Sequence, residues 1–194
     1  MKWLLALYIF SFSFYSVSML QCLKCKSESA QCIDNEIQQC KPDELCVSAI
    51  YRIIFSEMNK NETGIKRECI ERNKCDDFDR VGTDKFYSAN VGGLHGSVYF
   101  SCCESDNCNN FTFPEPDTRP NGLKCLTCNS TSDSLCNSTI SCVGNQDQCL
   151  TIKDLFFPLG MKHTMGCISK SSCDIFTKNL DKVQCCSENL CNKV

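Results

Sequence analysis

Between Cys46 and Met58 the chain reads "CVSAIYRIIFSEM", and Val47, Ala49, Tyr51, Ile53 and Phe55 fall on alternate positions. A period of two puts them on one face of a strand. The stretch "NKNETG" that follows is made of turn formers, and "IKREC" brings the chain back. This predicts a β-hairpin. The pattern recurs downstream as "CLTIKDLFF", then "PLG", then "MKHTMGC". A further apolar run, "GSVYFSCC", predicts a strand that ends in a cysteine doublet. No segment keeps a helical period beyond two turns. "KPDELC" and "CDIFTKNL" are each expected to form one short helical turn. The expected fold class is therefore all-β.

Cysteine content sharpens this picture. Of 194 residues, 20 are cysteines, a level that marks a disulfide-rich scaffold. They fall into two sets of ten, from Cys22 to Cys108 and from Cys125 to Cys191. Each set opens C-x2-C, keeps an x5 gap between its sixth and seventh members, and closes CC-x4-CN, as "CCESDNCN" and then "CCSENLCN". The gaps that differ most are x22 against x17 and x26 against x11. Fixed short gaps with elastic long ones describe a stapled base that carries loops of variable length. Two tandem domains follow, at residues 19–109 and 125–194. Between them, residues 110–124 hold Pro114, Pro116 and Pro120 and are expected to form an extended linker. Residues 1–18, with Lys2 ahead of an apolar stretch and Ser16 and Ser18 near its end, have the layout of a secretory signal peptide. The last residues, "NKV", offer no hydrophobic tail, so no membrane anchor is expected. The mature chain is expected to be secreted and extracellular, where disulfides persist.

These features together, CC-x4-CN above all and twice over, resemble the three-finger, snake-toxin-like fold of the lymphocyte antigen 6 / urokinase receptor family. Ten cysteines alone leave hundreds of pairings open. The resemblance implies Cys22–Cys46, Cys25–Cys32, Cys40–Cys69, Cys75–Cys102 and Cys103–Cys108 in the first domain. In the second it implies Cys125–Cys149, Cys128–Cys136, Cys142–Cys167, Cys173–Cys185 and Cys186–Cys191. It also implies that Asn109 and Asn192 hydrogen-bond back to the base of their domains. Within the family, a two-domain chain with "FPEPDTRPNGLKC" between the domains is similar to the gamma-type phospholipase A2 inhibitors.

Other chemistry is weighed against structural roles. C-x2-C at Cys22 and Cys125 suits zinc, but a secretory signal and even cysteine counts favour disulfides, and no metal or cofactor is expected. His95, in the glycine-rich and mobile-looking "GGLHGS", and His163 have no nucleophile motif beside them. Both read as surface histidines, and an enzyme is not expected. Asp76, Asp77 and Asp79 lack calcium-loop spacing and read as a solvated acidic face or a contact for a basic partner. "NVGGLHG" lacks the Lys-Ser or Lys-Thr ending of a phosphate loop. Net charge is -3, with eleven basic and fifteen acidic residues from Cys22 to Asn109 and six of each from Cys125 onward. Neither half carries the basic stripe that nucleic acid requires.

Four N-x-S/T sequons mark glycosylation candidates at Asn61, Asn110, Asn129 and Asn137. Asn61 is expected at a finger tip. Leu155, Phe156, Phe157, Leu159 and Met161 crowd another expected tip. They are either a contact for a partner or packing against the rest of the chain. The resemblance implies a protein partner, with a secretory phospholipase A2 inhibited by surface contact as the leading case. A soluble receptor-like or ligand module for a cell-surface protein is the alternative, and an oligomer stays open.

Overall fold

The computed structural model describes residues 19–56, 58–79, 86–128, 136–153 and 163–193. Within them, eleven strands and two helices run in the order β1 (Gln21–Ser27), β2 (Glu36–Gln39), β3 (Glu44–Phe55), β4 (Lys60–Glu71), α1 (Arg72–Asp79), β5 (Phe86–Asn90), β6 (Leu94–Cys103), β7 (Pro120–Thr127), β8 (Ser138–Val143), β9 (Gln148–Lys153), β10 (His163–Ile168), α2 (Lys170–Asn179) and β11 (Val183–Cys186). The fold is all-β and disulfide-rich.

The predicted hairpin is β3–β4, in register from Cys46↔Cys69 to Phe55↔Lys60. The hairpin closes just before Lys60, where Asn59 takes φ 48° and its N–H donates to Ser56 O. Asn61 therefore stands on β4, just past the tip. β9 and β10 form the second predicted hairpin, with Lys153↔His163 as the last pair before residues 154–162. Leu155, Phe156, Phe157, Leu159 and Met161 lie outside the described residues, as does Asn129.

Ten disulfides join Cys22–Cys46, Cys25–Cys32, Cys40–Cys69, Cys75–Cys102, Cys103–Cys108, Cys125–Cys149, Cys128–Cys136, Cys142–Cys167, Cys173–Cys185 and Cys186–Cys191. Cystine forms the centre of each base: Cys22, Cys40 and Cys46 cluster in one, and Cys125, Cys142, Cys149 and Cys167 in the other. Chains this short bury little apolar surface, so these staples, about 2–4 kcal/mol each, replace a large core.

The repeated closing motif folds the same way twice. Asn109 accepts from Leu23 N and donates to Leu23 O and Val47 O, at 2.9–3.0 Å. Asn192 accepts from Leu126 N and donates to Leu126 O and Leu150 O, each at 2.9 Å. Three positions before each, Asp106 and Asn189 accept from Gln21 N and Lys124 N. Between them Asn107 and Leu190 take φ 54° and 56°. Asn tolerates that region, whereas leucine is strained there.

The helices are longer than the sequence patterns predict. α2 has ten residues rather than one turn, because Ser169 caps it by accepting from Ser172 N. Cys173 then ties it to β11 through Cys185. α1 has eight residues and is pinned to β6 by Cys75–Cys102. Neither needs an apolar stripe, which is why the periodicity is silent. "KPDELC" forms a turn, with Asp43 at φ 69°, and then enters β3.

The two domains are joined edge to edge. A nine-stranded sheet runs β11-β9-β10-β5-β6-β3-β4-β1-β2, and β7-β8 forms a separate pair. The join is β10 against β5, through Cys167↔Asn90 and Ile168↔Ala89. Ser169 N donates to Ser88 O at 2.8 Å, and Asn145 Nδ2 donates to Phe86 O at 2.7 Å. Both sides share one apolar core: Val91 comes from the first domain, and Leu150, Ile152, Ile168 and Val183 from the second. Each such side chain, fully buried, contributes about 1.5–3 kcal/mol. The seam leaves no room for side chains at Gly166, where a Cβ would lie 2.7 Å from the Val91 Cα. Within "NVGGLHG", residues 91–93 are the tight turn between β5 and β6, and Asn90 and His95 are paired strand residues. Gly92, at φ 75°, packs against the backbone of Cys128, so this stretch is part of the joint rather than a mobile loop.

Candidate interaction surface

Cross-strand partners share a face of the sheet. On one face of the first domain Ser48, Ile50 and Arg52 of β3 lie opposite Arg67, Ile65 and Thr63 of β4, and Ile50 and Arg52 also lie opposite Tyr99 and Ser97 of β6. The segment after Asn109 lies across this face. Phe113 sits edge-on to Tyr99 at 4.8 Å between ring centroids, and Phe111 sits edge-on to Phe113 at the same distance. Glu115 pairs with both terminal nitrogens of Arg52, with Nη2 to Oε1 at 2.7 Å. This hydrogen-bonded pairing holds the Glu115 carboxyl below and the Arg52 guanidinium above their ordinary values. Further along, Arg119 grips Asp117 through its side chain and backbone N–H and holds that carboxyl down at about 2. β7 begins at Pro120, inside the stretch read as linker. The proline-rich segment is thus held against the sheet from Asn110 to Glu115.

A cleft of about 380 Å³ opens beside the segment, with Ile50 and Ile65 as its floor and Phe111 and Phe113 on its wall. Arg67 stands at one end and the Arg52–Glu115 pair at the other. Arg67 is only 7 % exposed. Its Nη1 donates to Asn35 Oδ1 and Asn110 Oδ1, both at 3.1 Å, and its Nη2 to Phe111 O at 3.2 Å. All three acceptors are neutral, and burial pushes the guanidinium's pKa down. A second cleft, about 480 Å³, lies between Phe86, Pro114, Pro116 and Asn145.

Of the sequence-predicted sites, Asn61 and Asn110 are exposed, and so is Asn137. Asn110 also holds Arg67, which ties a sequon to the mouth of the first cleft. Asp76 is exposed on α1. His95 is half-buried in β6 rather than on the surface, and burial lowers its pKa. His163 opens β10. The compact cysteine groups that resemble metal ligand sets are the disulfide clusters of the two bases. Among the described residues no helix is long and apolar enough to cross a membrane.

Sequence reading missed two surfaces. Ile33 and Ile37, 87 % and 63 % exposed, stand on the first finger. The available signal was two isoleucines in the otherwise polar "CIDNEIQQC". The cleft was also missed. Its signal was Arg52 in phase with Ile50 and Ile54, a charge on a face that alternation marks as half-apolar.

Comparison with known proteins places this geometry. The model of a family described as the u-PAR/Ly-6 domain matches residues 18–111 and 121–194. Over 84 residues the chain is 39% identical to a phospholipase A2 inhibitor of the gamma type from Elaphe climacophora, a match that spans 40% of this chain and 42% of that protein. It is 26% identical over 184 residues to protein RoBo-1 of Rattus norvegicus, covering 90% of this chain and 72% of that one. It is 27% identical over 192 residues to the urokinase plasminogen activator surface receptor of Aotus trivirgatus, covering 89% and 54%.

Proposed function

We propose, on the premise that this chain belongs to the u-PAR/Ly-6 domain family, that it is a secreted, glycosylated protein that binds a secretory phospholipase A2 and inhibits it by surface contact. The observation that carries this reading is the 84-residue stretch 39% identical to a gamma-type phospholipase A2 inhibitor. The seam supports it: strand pairing between β5 and β10 makes one body of the two domains, so a partner meets a preorganised surface and little ordering cost attaches to binding. Sugars on Asn61 and Asn137 would confine contact to the faces they leave open.

A receptor-like or ligand module for a cell-surface protein is the second reading. It is favoured by the matches to RoBo-1 and the urokinase receptor, which extend over 90% and 89% of the chain and so take in both domains. One experiment separates the two. The secreted chain is titrated into a panel of secretory phospholipases A2, with enzyme activity and complex mass followed together. A stoichiometric complex with loss of activity is expected. No complex with any enzyme, alongside saturable binding to intact cells, would replace the first reading by the second.

A further inference from the structure

Among the described residues, Arg67 is a buried cation without a counter-charge. A guanidinium has five N–H donors in a rigid fork made for carboxylates. Here Nη1 and Nη2 meet two amide oxygens and a backbone carbonyl, and the Nε–H, closed from solvent, meets no acceptor. Leaving a buried charge with neutral partners alone is unfavourable, and a charged acceptor offsets it. The charged side chains that line the cleft are Arg67, Arg52 and Glu115, and the last two neutralise each other. The cleft therefore carries one uncompensated positive charge in a chain whose net charge is -3.

The rest of the cleft describes what it would take. Its floor is apolar, Ile50 against Ile65. Its volume, about 380 Å³, falls in the range of sites that hold small ligands. Its far end is closed by the Arg52–Glu115 ion pair, which does not suit a hydrocarbon tail. Asn110 is exposed, so an incoming carboxylate can replace its amide oxygen at Nη1 and exchange a neutral acceptor for a charged one.

We propose that this cleft is a docking site for a short acidic peptide segment of the partner protein, with an Asp or Glu carboxylate bound by Arg67 and an adjoining apolar side chain laid over Ile50 and Ile65. This rests on the protein-binding reading above, but does not depend on which protein is bound.

The test uses the full secreted chain and its Asn110→Gln variant, which keeps an amide oxygen and lacks the sequon. The probes are acetyl-Leu-Asp-Leu-amide, its Leu-Asn-Leu counterpart and dodecanoate. Arginine side-chain N–H signals are followed by NMR. The Asp peptide should bind at least tenfold tighter than the Asn peptide and shift the Arg67 signals. That preference should weaken with salt and fall in Arg67→Lys, which keeps the charge and loses the fork. Equal binding of the two peptides, or none, would overturn the proposal. Tighter binding of dodecanoate would overturn it in favour of a lipid anion. Binding confined to Asn110→Gln would overturn it for the secreted form. A chain that binds the Asp peptide yet captures no phospholipase would leave the cleft standing and remove only the named partner.

Discussion

Replacing Asn109 or Asn192 by alanine tests how the bases are closed. Asn109 is 0% exposed and Asn192 4% exposed, and each makes three hydrogen bonds to backbone groups of its own domain. Alanine leaves one N–H and two carbonyls without their partner. A buried polar group left unpaired costs about 1–3 kcal/mol. Partial entry of water reduces the sum, so about 3 kcal/mol per substitution is expected. Because the two halves share one sheet and one core, that lowers Tm by roughly 6–12 °C. Calorimetry with the disulfides intact measures it. Asn189→Ala is the control: it removes a single exposed bond, to Lys124 N, and should cost well under about 1 kcal/mol. Asn109→Asp adds a second readout. The carboxylate still accepts from Leu23 N but faces Leu23 O and Val47 O, so its folded pKa rises above the ordinary value of about 3.9. The variant should be most stable below that pH and lose stability as pH rises through the raised value. Alanine variants within about 0.5 kcal/mol of the parent would refute the account, because the motif would then act through its cysteines alone.

Other consequences follow from single features. Leu190→Asn places at φ 56° the residue type that the first domain uses at φ 54°, and should raise stability by about 0.5–1 kcal/mol in denaturant titration. Gly166→Val drives a side chain into the backbone at Val91, so amide exchange at Ser169, bonded across the seam to Ser88 O, should accelerate while both bases stay protected. His95 has a lowered folded pKa because it is half-buried. Its contribution is therefore full above its unfolded value of about 6.5 and is lost as pH falls through the folded one. His95→Gln should flatten the stability profile below pH ~6.5, as followed by thermal melts against pH.

The sequence exposed what repeats. The doublet motif carried the base, and strict alternation from Val47 to Phe55 carried the central hairpin. What it hid depends on contacts between distant residues. α2 is set by one serine cap and one cystine, neither of which leaves a periodic trace. The seam rests on glycines at 92 and 166 and on serines 88 and 169, small residues whose ordinary reading is loop. Arg67 reads as a surface charge until the segment from Asn110 to Glu115 is laid over it. The proline-rich stretch itself reads as spacer because prolines mark extension, not what the extended chain lies against.

The β5–β10 pairing also sets how such a protein can be divided. By its cysteines each half is complete, with five disulfides of its own. By its backbone neither is. Cut apart, each half would bare one strand edge and one side of the core around Val91 and Ile168. A bare edge is a template for another chain. The isolated halves should therefore pair with themselves or aggregate, so the repeat that looks modular in sequence folds as a single unit.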